Sequence, residues 1–389
     1  MIYRFGMFEL DLSRHELRRE GAPVAIEPQV FDLLALFVRR PGELVTHDEM
    51  LAEVWGGRIV SDSAIASRVS ELRHALGDDG RRQEILRTVP RRGFRFLPEV
   101  RATNARQSGA VSRQHVRMAR SRDGTAIAYA TTGSGAPLLR AGHFLTHLEA
   151  DWRSPVWRPL LDRLGARFSV TRYDQRGTGL SGASASPLEL DRFVEDLRAV
   201  ADAAGLDRFP IFAASQGVPV AVAFAALHPE RVSRLVLYGG YVQGRSRRGT
   251  AEDAERAQAI LTIIRDGWGR SGAAFAVGFA AIYMPDASHE ELESMVGMQL
   301  ASATPEMAVA LRRAIDAFDV SDLLERVRAP ALVIHARDDA VHPVEQARLL
   351  AAGLPDARLV ITGSRNHVPM PLDPAWETLM SAAEDFLGD

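Results

Sequence analysis

Two residue types are missing from this sequence altogether. It has no cysteine, which excludes disulfide bonds, thiolate metal sites and a cysteine nucleophile. It has no lysine either, so all 47 of its Lys/Arg positions are arginines. No apolar run approaches the roughly 18 residues that cross a bilayer, and the N-terminus lacks the apolar core of a signal peptide. We therefore expect a cytoplasmic protein that does not bind a membrane.

The charge is nearly balanced overall but unevenly distributed. The formal net charge of the 389 residues is −3, whereas residues 81–122 alone hold twelve arginines and two glutamates. A basic block of this kind is either a solvated segment or a surface that faces phosphate groups. The length suggests two or more domains, and 46% hydrophobic residues are typical of globular proteins.

The first hundred residues combine short alternating segments with three helical patterns. Pro28 is a good first-turn residue for the first helix, and Thr46 is placed to cap the second. Ser61 or Ser63 is placed to cap the third. The segment "QEILRTVPRRGFRFLPEV" then predicts two strands around the turn "PRRG".

This order of elements resembles the OmpR-type winged-helix domain, closest to the CadC/ToxR-like subgroup. The matching segments are "VSDSAIASRVSELRHALGDD" and "ILRTVPRRGFRF". The resemblance implies double-stranded DNA as a partner, with the third helix in the major groove and the hairpin in the minor groove beside it. It also implies a homodimer on repeated half-sites. Candidate DNA-contacting residues are Ser67, Arg68 and Arg73 on the helix and Arg91, Arg92 and Arg95 on the hairpin.

A second region follows a polar, aperiodic segment. We expect a winged-helix domain over residues 1–100, a basic linker over 101–115 and a second domain over 116–389. In the second domain, strand-like runs such as "APALVIHA" alternate with amphipathic helices, which predicts a doubly wound α/β fold. A mostly helical block at about 245–320 interrupts this alternation.

Three polar residues of the second region have the order of a hydrolytic triad. Ser215 lies between small residues in "FAASQGVPV", Asp338 and Asp339 follow an apolar strand, and His367 follows the last strand. A serine nucleophile needs a base to take its proton, and that imidazole needs a carboxylate to orient it.

Together with "YDQRGTGLS", these segments resemble the α/β-hydrolase superfamily. The resemblance selects Asp339 over Asp338 and implies a triad of Ser215, Asp339 and His367. It implies an oxyanion hole made of the backbone N–H groups of Gln216 and His143. It also implies that the helical block is a cap over the site. The resemblance places Ser215 in the strand–turn–helix segment that this family calls the nucleophile elbow, and a serine there favours acyl transfer from an ester, lactone or activated amide. No cofactor and no metal are expected.

We expect a one-component transcriptional regulator whose α/β-hydrolase domain senses, and can hydrolyse, a small and largely apolar effector. Two alternatives stay open. One is an active serine esterase or lactonase with an accessory DNA-binding module, and the other is a receptor that keeps the triad only for binding. The apolar residues of the helical block serve ordinary core packing or line a pocket; they are Trp268, Phe275, Phe279, Tyr283, Met284, Met295 and Met298.

Overall fold

The structure, a computed structural model, divides the chain into two compact units, Met1–Ser112 and Arg113–Asp389. No helix in the described part of the chain is long and apolar enough to cross a membrane. The residues that the structure describes are 2–12, 16–19, 21–55, 60–90, 92–103, 114–183, 186–268 and 274–388.

Within the described residues, the first unit contains two antiparallel sheets and three helices. One sheet has the strand order β4-β3-β2-β1-β8 and the other has the order β5-β7-β6. The elements are β1 (Ile2–Phe5), β2 (Phe8–Asp11), β3 (Glu16–Arg19), β4 (Ala22–Val24), α1 (Pro28–Arg39), β5 (Leu44–Thr46), α2 (His47–Trp55), α3 (Asp62–Leu76), β6 (Leu86–Val89), β7 (Gly93–Phe96) and β8 (Arg101–Thr103).

The helix boundaries of this unit follow from local chemistry. Pro28 is the first residue of α1, where the missing N–H has no intrahelical partner to lose. Ser61 rather than Ser63 caps α3, because its hydroxyl accepts a hydrogen bond from the Ala64 N–H at 3.3 Å. The helix ends at Gly77, which has a left-handed φ of 70°. The buried face of α3 packs into the core of the unit and consists of Ile65, Val69, Leu72 and Leu76.

The segment expected to link the two domains is partly built into both units. Residues 101–103 form β8 and pair with β1, so the first sheet extends three residues beyond the predicted boundary at residue 100. Gln114 is bound within the second unit, where its side chain donates to the Leu148 carbonyl at 3.0 Å. Residues 101–103 have no strand periodicity of their own and form a strand because the edge of β1 offers them backbone hydrogen-bond partners. Residues 104–113 lie outside the described residues.

The second unit is built on one eight-stranded sheet with the order β16-β15-β14-β13-β11-β12-β10-β9. Strands β11 to β16 pair in parallel, and β9 and β10 add an antiparallel edge. The bounds are β9 (Arg117–Arg120), β10 (Ala126–Gly133), β11 (Ala136–Arg140), β12 (Phe168–Tyr173), β13 (Phe209–Ala214), β14 (Val232–Tyr238), β15 (Ala331–Ala336) and β16 (Ala357–Thr362).

Helices cover this sheet, and four of them form an insertion between β14 and β15. The helices are α4 (Leu148–Arg153), α5 (Arg158–Gly165), α6 (Leu190–Ala203), α7 (Gly217–Leu227), α8 (Ala251–Gly267), α9 (Ala274–Tyr283), α10 (His289–Ser302), α11 (Pro305–Asp316), α12 (Val344–Gly353) and α13 (Trp376–Gly388), with 3₁₀ turns at Arg245–Arg247 and Ser321–Arg326. We call α8 to α11 the cap. The predicted class, a small winged-helix unit followed by an α/β-hydrolase fold, is confirmed.

The topology brings the candidate triad to one edge of the sheet. Ser215 follows β13, Asp339 lies in the loop after β15, and His367 lies in the loop after β16. Because these strands are parallel, their carboxyl ends meet at the same edge, which is where open α/β sheets place their ligands.

Candidate active site

Ser215 occupies a strained turn between β13 and α7. Its φ of 53° is in the left-handed region, which non-glycine residues rarely adopt. The turn is held by the Ser215 N–H, which donates to the Tyr238 carbonyl at 2.9 Å. Glycine is required at position 217, because a Cβ there would come within 2.8 Å of the Gly142 carbonyl oxygen. The neighbouring strand end and the 141–142 segment therefore fix the position of the serine.

Asp339 and His367 form a buried hydrogen-bonded pair. Nδ1 of His367 lies 2.7 Å from Oδ2 of Asp339. The other carboxylate oxygen accepts from the N–H groups of Val341 at 2.7 Å and His342 at 3.2 Å. Burial alone would raise the pKa of Asp339, but the charge and hydrogen bond of His367 outweigh burial and hold that pKa below its ordinary value. The carboxylate therefore orients the ring and leaves Nε2 as its free nitrogen.

Ser215 and His367 line the same cavity. Nε2 of His367 is buried and has no hydrogen-bond partner among the described residues, Ser215 included. Such contacts are often long before a substrate binds. The two side chains are thus brought to one space without a direct hydrogen bond between them.

The cavity and its opening to solvent together enclose about 410 Å³ of space. The core and the cap both contribute to its wall, and no Asp, Glu or Arg is found among its lining residues in the described part of the chain. The lining residues are His143, Phe144, Trp157, Ala214, Ser215, Tyr283, Met295, Met298, Gln299, His367, Val368 and Pro369.

Of the cap residues singled out from the sequence, only some reach this cavity. Tyr283, Met295 and Met298 line it, and the side chain of Phe275 lies outside the described residues. The rest are buried in the core cluster without lining the cavity; they are Trp268, Phe279 and Met284. Periodicity identified the apolar faces of the cap but could not tell which residues pack together and which border a space.

The residues expected to supply the oxyanion hole are both close to the nucleophile, one in sequence and one at the same cavity. Gln216 follows Ser215 as the N-cap of α7, and His143 is a lining residue of the cavity. Within the described residues, neither backbone N–H donates to another protein group. Unused N–H groups at a helix N-terminus beside a serine can bind developing negative charge.

The His143 side chain is also constrained. It is 5% exposed, and its Nδ1 lies 3.5 Å from the Arg140 guanidinium. Burial, followed by the charges of Arg140 and His367, holds the pKa of His143 well below its ordinary value. The ring is therefore neutral at physiological pH.

Two further histidines, His335 and His342, lie close to Asp339 and are not among the residues predicted from the sequence. Nε2 of His335 lies 3.0 Å from the His342 carbonyl oxygen and 3.6 Å from Oδ2 of Asp339. Nδ1 of His342 lies 3.1 Å from the Arg248 guanidinium, and its ring is 5.4 Å from that of His367. In the sequence, the two histidines can be recognised because they stand at the two ends of the acid-loop segment "HARDDAVH".

The loop that carries His367 is tied to the cap. The backbone carbonyl of Tyr283, at the end of α9, accepts from the N–H of His367 at 2.8 Å and of Val368 at 3.2 Å. The Tyr283 and His367 rings meet edge to face with centroids 5.5 Å apart. The position of the histidine therefore depends on the cap as well as on the sheet.

The segment "YDQRGTGLS" has a structural role in this fold. The Arg176 guanidinium is fully buried and donates to both carboxylate oxygens of Asp196, at 2.7 and 2.6 Å. It also donates to Asp123 at 2.8 Å. A buried, bidentate ion pair of this kind holds the loop to α6 and to the β9–β10 turn.

The three candidate DNA-contacting residues on α3 make different hydrogen bonds within the unit. Nη1 of Arg68 lies 2.5 Å from carboxylate oxygens of both Glu27 and Glu71. Arg73 donates to the Leu86 carbonyl at 2.8 Å and to the Thr88 hydroxyl at 2.9 Å, which ties α3 to β6. Ser67 is exposed and its hydroxyl donates to Glu71 at 3.3 Å.

The hairpin of β6 and β7 presents its arginines differently. Arg92 and Arg95 are exposed and make no side-chain hydrogen bond or ion pair to any described residue. Arg91 lies outside the described residues. The hairpin therefore offers two uncompensated positive charges, whereas Arg68 and Arg73 have intramolecular partners.

Two family models match separate parts of the chain. One, described as "Transcriptional regulatory protein, C terminal", matches residues 21–96, and this domain implies DNA binding. The other, described as "alpha/beta hydrolase fold", matches residues 147–374. The chain thus fuses a regulator-type DNA-binding domain to a hydrolase-fold domain.

Individual relatives divide in the same way. RutD of Azorhizobium caulinodans, which carries the name of a carbamate hydrolase, is 29% identical over 233 residues, covering 59% of this chain and 84% of RutD. The transcriptional activator CadC of Escherichia coli is 31% identical over 100 residues, covering 25% of this chain and 20% of CadC.

Among solved structures, a hydrolase from Pseudomonas aeruginosa superimposes with a TM-score of 0.59 at 25% identity, covering 71% of this chain and 99% of that one. The hydrolase-fold match extends over more than half of the chain and agrees with the strand order and with the elbow at Ser215. The protein therefore belongs to the alpha/beta hydrolase fold family and carries an OmpR/PhoB-type regulatory domain at its N-terminus.

Proposed function

We propose that this protein is a DNA-binding transcriptional regulator whose hydrolase unit binds and hydrolyses a small acyl effector. The observation that carries the proposal is the 2.7 Å hydrogen bond between Asp339 and His367, at a cavity that Ser215 also lines. A pocket that only binds a ligand does not need a buried carboxylate aimed at a histidine. The serine, and the name of the RutD relative, favour an ester, lactone, amide or carbamate as the compound cleaved.

In the acylation half of the reaction, Oγ of Ser215 attacks the carbonyl carbon while Nε2 of His367 takes the hydroxyl proton. Asp339 stabilises the resulting imidazolium through the Nδ1 hydrogen bond. The carbonyl oxygen becomes an oxyanion, to which the N–H groups of Gln216 and His143 donate. As the bond to the leaving group breaks, His367 returns the proton to that group.

Deacylation repeats these steps with water. His367 removes a proton from the water as its oxygen attacks the acyl-serine ester, and it then protonates Oγ of Ser215 as the acid leaves. The lowered pKa of Asp339 suits this role, because the carboxylate must stay ionised while the ring accepts its second proton.

Regulation requires that the effector favour one of two states of the protein. A ligand shifts such an equilibrium only by the difference between its affinities for the two states. The cap supplies one element that can make this difference, since the Tyr283 carbonyl is bonded directly to the loop of His367. An empty, an acylated and a product-bound cavity would then correspond to different DNA affinities.

The catalytic part of the proposal is tested with a fluorophosphonate probe on the full chain, read by mass spectrometry. We expect one phosphonyl group per chain, located on Ser215 and absent from Ser215→Ala. Ser381→Ala, at an exposed position on α13, is the matched control and should label like the wild type. Absence of labelling in folded protein would favour a receptor that keeps the triad only for binding.

The regulatory part is tested by measuring DNA affinity of the full chain before and after this labelling. The phosphonyl group occupies the cavity as a stable covalent analogue of the tetrahedral intermediate. A change in DNA affinity in the wild type, absent from Ser215→Ala treated in the same way, would support a regulator. Equal affinities would favour the alternative, an esterase or lactonase with an accessory DNA-binding module.

A further inference from the structure

Three buried polar atoms, on side chains that line the Ser215 cavity, lack a hydrogen-bond partner in the part of the chain that the structure describes. Nε1 of Trp157, Nε2 of His143 and Oε1 of Gln299 make no hydrogen bond to any residue that the structure describes. The side chains are 3%, 5% and 5% exposed, respectively. Folded proteins leave very few buried polar atoms unpaired, because each has lost its water without a replacement. Three at one cavity indicate a ligand that pairs with them.

Gln299 is held on the cavity wall by its helix. It shares one face of α10 with Met295 and Met298, which also line the cavity. The helix is fixed on both sides of this position, where Ser294 bonds to the Ser154 hydroxyl and Ser302 bonds to the Leu145 carbonyl, each at 3.2 Å. Of the three α10 residues that line the cavity, Gln299 is the polar one, and a polar ligand group that it recognises explains its place there.

Trp157 and His143 offer hydrogen-bond donors. The indole N–H can only donate. Its ring is held by the Arg140 guanidinium, 4.9 Å from its centroid, and by the His143 ring at 4.2 Å. Arg140 also faces Nδ1 of His143 at 3.5 Å, and since a guanidinium can only donate, the proton of the neutral ring lies on Nε2. The cavity therefore presents two N–H donors beside the amide of Gln299.

Apart from His367, which must be neutral to act as the base, no described lining residue offers a charge to a charged ligand. No Asp, Glu or Arg is present among the lining residues within the described ranges, and His143 is neutral. A charged substrate would lose its hydration without gaining an ion pair. A purely aliphatic acyl chain, on the other hand, would leave all three polar atoms unpaired.

We propose that the substrate is a neutral acyl compound whose acyl group carries an amide, with its N–H bound by Gln299 and its carbonyl by Trp157 or His143. This inference rests on the hydrolysis proposed above and narrows its substrate class. A ketone or an ether would satisfy the N–H donors but leave Oε1 of Gln299 without a donor. An amide provides both groups in one plane, and the methionines cover its apolar remainder.

The test uses p-nitrophenyl esters in matched pairs and the full chain. In one member an acetamido group stands one, two or three methylenes from the ester carbonyl. In the other, an isopropyl-terminated hydrocarbon chain of the same shape replaces it. The measured quantity is the ratio of kcat/KM for the amide ester to kcat/KM for its hydrocarbon partner. Comparing this ratio between variants cancels the intrinsic reactivity of each ester.

We expect Gln299→Met to lower this ratio by about tenfold for at least one chain length, the effect of leaving a buried amide group unpaired. Both sides change: the amide ester becomes slower and the hydrocarbon ester faster. Gln258→Met, exposed on α8 and away from the cavity, is the matched control and should keep the wild-type ratio. Trp157→Phe removes the N–H donor and part of the ring, and it should also lower the ratio. It is the variant to measure if Gln299→Met does not fold.

The outcomes separate this inference from the proposed function. If the wild type hydrolyses the esters and neither Gln299→Met nor Trp157→Phe alters the ratio at any length, amide recognition is overturned while hydrolysis stands. If the wild type hydrolyses none of the esters and does not label with the fluorophosphonate, hydrolysis itself fails, and the inference fails with it.

Discussion

The two units use the same side chain in opposite ways. Arginine is the only long cation in the chain. In the hydrolase unit Arg172, Arg176 and Arg312 are at most 2% exposed, and each lies beside a carboxylate. In the winged-helix unit Arg92 and Arg95 are exposed and have no ion-pair partner among the described residues.

The difference follows from the cost of burying charge. Burying a guanidinium is costly unless other groups replace its hydration, and carboxylates do so for Arg172, Arg176 and Arg312, which are thereby bound to the structure around them. An exposed arginine without a partner keeps its charge available for an anion outside the protein, such as a phosphate group. Composition alone cannot separate these two uses, whereas solvent exposure and partners can.

The largest effect is expected at the buried carboxylate of the candidate triad. Asp339→Asn should lower kcat/KM for an activated ester by about 10³- to 10⁴-fold, because an amide does not stabilise the imidazolium and favours the wrong tautomer of His367. Asp338→Asn is the matched control, one residue away and exposed, and should retain activity. If kcat/KM falls in Asp338→Asn and not in Asp339→Asn, the acid of the triad is Asp338.

The next effect concerns a buried arginine. Arg176→Met leaves the carboxylates of Asp196 and Asp123 without their cation, and we expect the free energy of unfolding of the hydrolase unit to fall by about 3–5 kcal/mol. The measurement is urea unfolding of the full chain followed by tryptophan fluorescence.

Arg92→Met is the comparison for this experiment, since it makes the same replacement on the exposed hairpin. Its free energy of unfolding should stay within about 0.5 kcal/mol of the wild type. Equal losses in the two variants would remove the distinction between the two sets of arginines.

The exposed arginines are tested through DNA binding rather than stability. Arg92→Ala and Arg95→Ala should each weaken binding and reduce the slope of log K against log salt concentration by about 0.9 for every phosphate group that the variant no longer neutralises. Arg256→Ala removes an exposed arginine of the hydrolase unit and should leave the slope unchanged. A slope unaffected by both hairpin variants would move the DNA-binding surface away from the hairpin.

Sequence patterns predicted the elements better than the contacts between them. Caps, turn residues and strand runs located α1, α3 and the parallel strands because those signals are local. The order of Ser215, Asp339 and His367 along the chain could be read from the sequence. Each follows a parallel strand, and the structure therefore has all three at one edge of the sheet.

What the sequence could not provide depends on which residues meet. The pairing of β8 with β1 joins residues about a hundred positions apart, and no periodicity marks it. From the sequence, Gln299 has the character of a surface residue on an amphipathic helix. In the structure, α10 packs so that Gln299 lines the cavity. The sequence predicts Arg73 as a DNA contact and gives no sign that the hairpin lies close enough for its side chain to donate to Leu86 and Thr88.

The smallest expected effect is on DNA affinity and concerns Arg68, which is neither fully buried nor free of ion-pair partners. This side chain is 29% exposed and paired with Glu27 and Glu71, so it must give up part of these contacts to bind DNA. Glu27→Gln weakens one pair, and we expect DNA affinity to rise by a factor of about 1.4 to 5, because a partly exposed ion pair is worth about 0.2–1 kcal/mol. Glu43→Gln makes the same change of charge at an exposed position of the same unit without an ion-pair partner among the described residues. A gain in Glu27→Gln beyond that of Glu43→Gln would place Arg68 with the arginines available to DNA, and equal gains would place it with those that hold the fold together.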